Sequence, residues 1–249
     1  MAEARQGLSV LEPDRRKRKH SPLMKLSPRD LAQHIDHTLL RADARAADIE
    51  RLCAEAREHA FWSVCVNGTR VALAASLLED TAVKVAAVVG FPLGAMESDA
   101  KRFETETVID LGAQEIDLVL NIGRLKDGED GAIFRELRDV VEAAQGALVK
   151  VIFETCLLTH EEILRACSLS IEAGARFVKT STGFSTAGAT LEQVRWMRET
   201  VGPKMGVKAS GGIRDTATAL AMIAAGANRL GTSAGIAIVR GHTADSPDY

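Results

Sequence analysis

The chain is poor in aromatic residues, in cysteine and in histidine. Aromatics make up 4% of its 249 positions, and the single tyrosine, Tyr249, stands at the last of them. The four cysteines (Cys53, Cys65, Cys156 and Cys167) form no Cys-x-x-Cys pair and no zinc-like spacing, which excludes a zinc-finger framework. Cys53 and Cys167 fall within amphipathic helical patterns and Cys65 within an apolar run. Four buried, reduced thiols are therefore expected, in a cytoplasmic rather than an oxidising setting. Of the six histidines only His34 and His37 are close in sequence, and that spacing puts them on opposite faces of a strand, so no metal is expected. No run approaches the roughly 18 uninterrupted apolar residues of a membrane span. Residues 1–25 lack the apolar stretch of an export signal. No membrane partner is expected.

Charge is nearly balanced overall but unevenly spread. The net charge is -3. Residues 1–25 hold seven Lys/Arg against three Asp/Glu, a local +4 that leaves -7 on the remaining 224 residues. The basic part is concentrated in Arg15-Arg16-Lys17-Arg18-Lys19-His20. Like charges in such a run repel and extend the chain, so residues 1–25 are expected to form a solvated, flexible arm. The acidic body argues against nucleic acid as the main partner.

Hydrophobic residues at 46% and charged residues at 26% are ordinary globular usage, which excludes wholesale disorder, collagen and coiled coil. Residues 30–240 alternate two kinds of segment. Eight strand-like runs occupy 34–39, 63–66, 83–91, 115–121, 148–155, 177–182, 206–210 and 229–232. Their starts lie about 20 to 33 residues apart, the length of a βα unit. Helical periodicity fills the gaps, with apolar faces at Ile49, Leu52, Cys53 and Ala56, at Ile163, Ala166, Cys167, Ser170 and Ile171, and at Val194, Met197 and Val201. Thr159-x-x-Glu162 and Thr190-x-x-Gln193 read as capping boxes. Gly174, Gly202 and Gly226 stand where helices should end. An open doubly wound sheet is possible, but eight units favour one closed (β/α)8 barrel. The expected organisation is an arm at 1–25, a barrel at 26–240 and a short polar tail at 241–249.

Barrels of this kind hold their chemistry at the C-terminal strand ends. Five of the strand runs insert a charge among apolar neighbours: Asp36, Asp117, Lys150, Lys179 and Lys208. Burying an ammonium costs several kcal/mol, so lysines on three successive strands mark a site rather than a core. A lysine at its ordinary pKa is almost wholly ammonium at neutral pH. A dry pocket or a neighbouring cation frees its lone pair, and it then forms Schiff bases with carbonyl compounds. Lys179 and Lys208 lie on adjacent strands. Beyond them, Thr182-Gly183, Ser210-Gly211-Gly212 and Gly231-Thr-Ser-Ala-Gly235 line three strand ends. Glycines there let backbone N–H groups approach an anion. A small phosphorylated aldehyde or ketone is the substrate these features suggest.

Seven ordered stretches carry a resemblance over roughly residues 30–240. They are Ile-Asp-His-Thr-Leu-Leu (35–40), Val-Cys-Val-Asn (64–67), Val-Gly-Phe-Pro-Leu-Gly (89–94), Glu-Ile-Asp-Leu-Val-Leu-Asn (115–121), Val-Lys-Val-Ile-Phe-Glu-Thr (149–155), Phe-Val-Lys-Thr-Ser-Thr-Gly-Phe (177–184) and Val-Lys-Ala-Ser-Gly-Gly-Ile-Arg (207–214). The chain resembles the 2-deoxyribose-5-phosphate aldolases, class I aldolases that need no cofactor because a lysine supplies the electron sink. The resemblance implies that Lys179 is the Schiff-base lysine. It makes Lys208 the lysine that holds down the pKa of Lys179, and Asp117 the proton-relay aspartate. Lys150 and Asp36 would support the charged network. Thr38, Thr182, Gly183, Gly211, Gly212 and Ser233 match substrate and phosphate positions. Some members carry lysine where this chain has Phe184 and serine where it has Ala234, which implies a phosphate site built more on backbone N–H groups. The resemblance also implies a homodimer or homotetramer, and a terminal tyrosine, here Tyr249, that reaches the site to protonate an enamine carbon. Two rivals stay open: a Schiff-base barrel aldolase for another phosphorylated sugar, and a non-catalytic binding barrel that uses its basic arm.

Overall fold

The computed structural model describes residues 26–242. The expected basic arm at 1–25 lies outside the described residues, as do residues 243–249 of the expected tail, Tyr249 among them. Eight strands run in chain order: β1 (Ile35–Leu39), β2 (Ser63–Val66), β3 (Lys84–Val89), β4 (Glu115–Val119), β5 (Leu148–Ile152), β6 (Phe177–Lys179), β7 (Gly206–Ser210) and β8 (Arg229–Thr232). Each pairs in parallel with the next, and β8 pairs with β1, closing the barrel. The open doubly wound alternative is excluded.

Helix α1 (Pro28–Ala32) precedes β1. The connections carry α2 (Ala46–His59), α3 (Val71–Leu78), α4 (Ser98–Asp110), α5 (Ile122–Lys126), α6 (Asp130–Ala143), α7 (His160–Glu172), α8 (Leu191–Val201) and α9 (Thr216–Ala224), and α10 (Gly235–Arg240) follows β8. Period two on the strands and 3.6 on the helices meet in one shell. Outward strand residues such as Ile35, Val64, Ile116, Val151 and Leu230 pack in a single apolar cluster with Ile49, Leu52, Ile163, Val194 and Met197 of the helices. Removing that surface from water at about 25 cal/mol per Å² is what holds the helical ring to the barrel.

Local signals differ from the sequence expectations at four places. The runs at 83–91, 115–121, 148–155 and 177–182 end early as strands. Gly90 (φ 63°) and Glu154 (φ 55°) take left-handed backbone there, which no strand continues through, and the chain turns into the loops of the barrel mouth. Thr159 and Glu162 form the full capping box, each side chain bonded to the other's backbone N–H. At Thr190 only half of it forms, because Gln193 turns away to bond Thr155 on the preceding loop. Ile171 is 47% exposed, one step off the buried stripe of α7. Cys53, Cys65 and Cys167 are buried and all four thiols are free, but Cys156 is only half-buried. It lies in the 3-10 turn Thr155–Leu157, not in the shell.

Among the described residues one ion pair is fully buried outside the lumen. Lys101 on α4 donates to Glu136 of α6 at 2.6 Å and to the carbonyl of Val119 at 3.0 Å. The Ser98 hydroxyl donates to the other Glu136 oxygen at 3.0 Å. The pair ties two helices to the end of β4. Deleting one partner strands the other charge in an apolar shell. Lys101→Met should therefore lower the unfolding free energy by about 3–5 kcal/mol. The double replacement Lys101→Met with Glu136→Leu should recover most of that loss, read from urea midpoints at unchanged m.

Candidate active site

Paired positions on neighbouring parallel strands point to the same side, so register decides what fills the lumen. Asp117 pairs with Lys150, Lys179 with Lys208, and Lys208 with Arg229. Asp36 pairs with Gly231 across the closing seam. The barrel thus gathers the five charged residues singled out in the sequence. A Cβ on Gly231 would stand 2.9 Å from Cε of Lys208. The missing side chain is the space through which Lys208 crosses to Asp36.

The contacts form one network. Asp117 receives three amines: Lys150 on Oδ1 at 2.6 Å, and Lys179 and Lys208 on Oδ2, both at 2.8 Å. Lys208 also donates to Asp36. Arg229 holds the other Asp36 oxygen at 2.7 Å. Beneath them Glu115 accepts from Lys150 at 2.6 Å, from Arg229 at 3.3 Å and from the Trp62 indole N–H at 2.9 Å. The Arg229 guanidinium lies 4.3 Å from the Trp62 ring centre. Glu115 and Arg229 were not singled out from the sequence. Glu115 stands two positions before Asp117, which on a strand is the same face, and that was the available signal.

Three carboxylates therefore face four cations. The cluster is neutral when one cation gives up its proton. Arginine does not do so in proteins. Lys150 and Lys208 each hold two carboxylates at 2.8 Å or less, whereas Lys179 holds Asp117 alone. Burial disfavours the ammonium at all three lysines. At Lys150 the charges of Asp117 and Glu115 outweigh it and raise the pKa. At Lys208 Asp117 and Asp36 outweigh it and hold the pKa well above the ordinary value. At Lys179 burial wins: Asp117 pulls the pKa up, but burial and then the Lys208 charge push it down. Desolvation thus leads the like-charge effect anticipated from the sequence. Burial also opposes ionisation of Asp36 and Asp117, but the surrounding cations keep both pKa values below the ordinary range. Lys179 alone of the three lysines reaches solvent, its side chain 3% accessible against 0% for the other two.

One wall of the lumen is apolar. Leu40, Cys65, Ala86 and Val88 form a small cluster joined by Phe91. Phe91 meets Phe184 edge to face at 5.2 Å between ring centres. Thr38 lies in β1, its hydroxyl donating to the Asp36 carbonyl at 3.1 Å. The remaining candidates stand where the strands end. Thr182 and Gly183 (φ 87°) follow β6, Gly211 (φ 84°) and Gly212 (φ 77°) follow β7, and Ser233 follows β8. Left-handed backbone at two successive strand ends, after β6 and β7, is what glycine permits. Among the described residues no three His, Cys, Asp or Glu are grouped to hold a metal ion. Glu154 was also missed by the sequence reading. It is buried beside Thr182 and accepts hydrogen bonds from its hydroxyl and its N–H.

Comparison with known proteins agrees with this architecture. The family model described as DeoC/LacD family aldolase matches residues 31–241. A deoxyribose-phosphate aldolase of Alkaliphilus oremlandii is 61% identical over 221 residues, covering 88% of this chain and 100% of the relative. One from Exiguobacterium sibiricum is 64% identical over the same shares. A solved structure of deoxyribose phosphate aldolase from Aeropyrum pernix, described as a unique tetramer, superposes with a TM-score of 0.81 at 36% identity, covering 86% of this chain and 91% of that one. The chain belongs to the DeoC/LacD aldolase family.

The charge count has a direct consequence. Removing Lys208 leaves three cations for three carboxylates, a balance that retains the proton on Lys179. Reductive methylation by formaldehyde and cyanoborohydride, with peptide mass mapping across pH, reads the free amine. Native Lys179 should react at a pH below that of ordinary lysine. Lys208→Leu should move its reactive range up by about one unit or more. An unmoved range would contradict the assignment of Lys179 as the surplus cation.

Proposed function

We propose that this protein is a class I deoxyribose-phosphate aldolase. It reversibly cleaves 2-deoxy-D-ribose 5-phosphate to D-glyceraldehyde 3-phosphate and acetaldehyde. The observation that carries the reading is the cluster of three buried lysines in which Lys179 alone is poised to be neutral. Relatives of that name at 61% and 64% identity over their whole length support the substrate.

The neutral Lys179 amine adds to the C1 aldehyde of the open-chain sugar. The carbonyl oxygen takes up a proton and leaves as water, and an iminium forms. Asp117, shared by Lys179 and Lys208 at 2.8 Å, organises the water that removes the proton of the C3 hydroxyl. The C2–C3 bond then breaks, and its electron pair flows into the iminium. Glyceraldehyde 3-phosphate departs, leaving an enamine of acetaldehyde on Lys179. Protonation at the enamine carbon restores an iminium, water hydrolyses it, and the amine is regenerated. Lys150, Asp36 and Lys208 serve as the charge framework that keeps Lys179 the weakest ammonium. Thr38 contacts the substrate. Thr182, Gly183, Gly211, Gly212 and Ser233 receive the phosphate, with N–H groups and hydroxyls carrying the recognition where the neighbouring side chains are Phe184 and Ala234.

The phenol of Tyr249 is proposed as the acid for the enamine carbon. A homodimer or homotetramer and a cytoplasmic setting complete the reading, supported by the tetrameric relative and the free cysteines. The test is borohydride trapping with acetaldehyde, followed by peptide mapping, beside a turnover assay. The expected result is one reduced adduct on Lys179 and cleavage of 2-deoxyribose 5-phosphate. An adduct on Lys208, or none, would overturn the mechanism. Preferential turnover of a ketose phosphate would overturn the substrate.

A further inference from the structure

Glu154 is a buried carboxylate that the mechanism above does not use. Among the described residues three that are not glycine have positive φ: Ala60, Gln145 and Glu154. Ala60 caps α2, and Gln145 follows Ala144, the cap of α6. Left-handed backbone is routine at helix ends. Glu154 instead stands two residues beyond β5, at φ 55° and ψ 61°, where it opens the 3-10 turn Thr155–Leu157; a side chain there bears a steric cost with no helix C-terminus to explain it. Strained backbone of this sort gathers at functional sites.

The residue is 3% exposed. It accepts the Thr182 hydroxyl proton in a short bond, and the Thr182 N–H faces its two oxygens at 3.4 Å each. The Thr182 oxygen in turn accepts the Phe184 N–H at 3.0 Å. Gly183, at φ 87°, is thereby held between two anchored neighbours. The far end of the same loop rests on β7: the Ala189 N–H donates to the Ser210 carbonyl at 3.0 Å, and a Cβ on Gly188 would lie 2.2 Å from the Gly211 oxygen. One end of the loop is thus pinned by backbone packing and the other by a carboxylate reached across from β5. Burial pushes the Glu154 carboxyl up, and the Thr182 donors and then the Lys179 charge pull against it.

We propose that Glu154 is a positioning residue that sets the Thr182–Gly183–Phe184 turn for the phosphate end of the substrate. The inference rests on the aldolase reading and deepens it. Its effect falls on binding of the phosphorylated part, which is held equally in ground and transition states. It does not fall on Schiff-base formation at Lys179.

Two variants test this. Glu154→Gly removes the carboxylate and also relieves the left-handed backbone, so loss of folding is not the anticipated outcome. Glu154→Gln keeps a carbonyl acceptor for the Thr182 hydroxyl. KM and kcat for 2-deoxyribose 5-phosphate are measured beside borohydride trapping of acetaldehyde, which has no phosphate. For Glu154→Gly the inference requires KM raised about tenfold or more. It also requires kcat within about twofold and trapping on Lys179 unchanged. Glu154→Gln should recover most of the KM loss. A fall in kcat at constant KM, loss of the acetaldehyde adduct, a Gln variant as impaired as the Gly variant, or no change in either variant would each overturn it. Absence of wild-type turnover with intact trapping would overturn the substrate reading itself, and the inference with it.

Discussion

Everything in the lumen depends on one imbalance: four buried cations share three carboxylates. A buried ion pair is a poor source of stability, because desolvation offsets most of the attraction. A buried surplus is different. It makes one deprotonation favourable at a pH where an isolated lysine stays charged. Geometry then decides which amine yields. Lys150 and Lys208 each bridge two carboxylates, and Lys179, at the solvent side, touches one. Catalytic character here belongs to the whole network more than to any single side chain.

The barrel is what allows that network. Parallel register brings charges from six of the eight strands into one lumen, and the apolar shell outside keeps the strands closed around it. Gly231 leaves room for the Lys208 side chain, and Gly206 does the same for the Phe177 ring, whose atoms would lie 2.2 Å from a Cβ there. The opposite wall of Leu40, Cys65, Ala86 and Val88 keeps the dielectric low. A low dielectric strengthens both the burial effect on Lys179 and the carboxylate grip on Lys150 and Lys208.

Much of this was legible in the sequence, because two periodicities and a set of misplaced charges survive without coordinates. The eight-fold alternation led to the barrel, and a charge inside an apolar run led to Asp36, Asp117, Lys150, Lys179 and Lys208. What escaped depends on distance in space. Arg229 opens its strand, and nothing local shows that it reaches Asp36 across the seam. Glu154 looks like an ordinary residue after a strand until its left-handed backbone and its bond to Thr182 are seen. Lys101 and Glu136 lie on helices with ordinary charge patterns, and only the packing of α4 against α6 shows that both are buried. The half-formed cap at Thr190 failed for the same reason, since Gln193 found a better partner on a neighbouring loop.

The central claim is that Lys179 gives up its proton first. Nitrogen-resolved NMR titration of the lysine side-chain amines reads this directly in the unliganded protein, with each resonance assigned by single replacement. The account predicts that the Lys179 resonance titrates below the range of ordinary lysine, while Lys150 and Lys208 remain ammonium throughout that interval. Titration of Lys208 or Lys150 before Lys179, or of all three in the ordinary range, would contradict it.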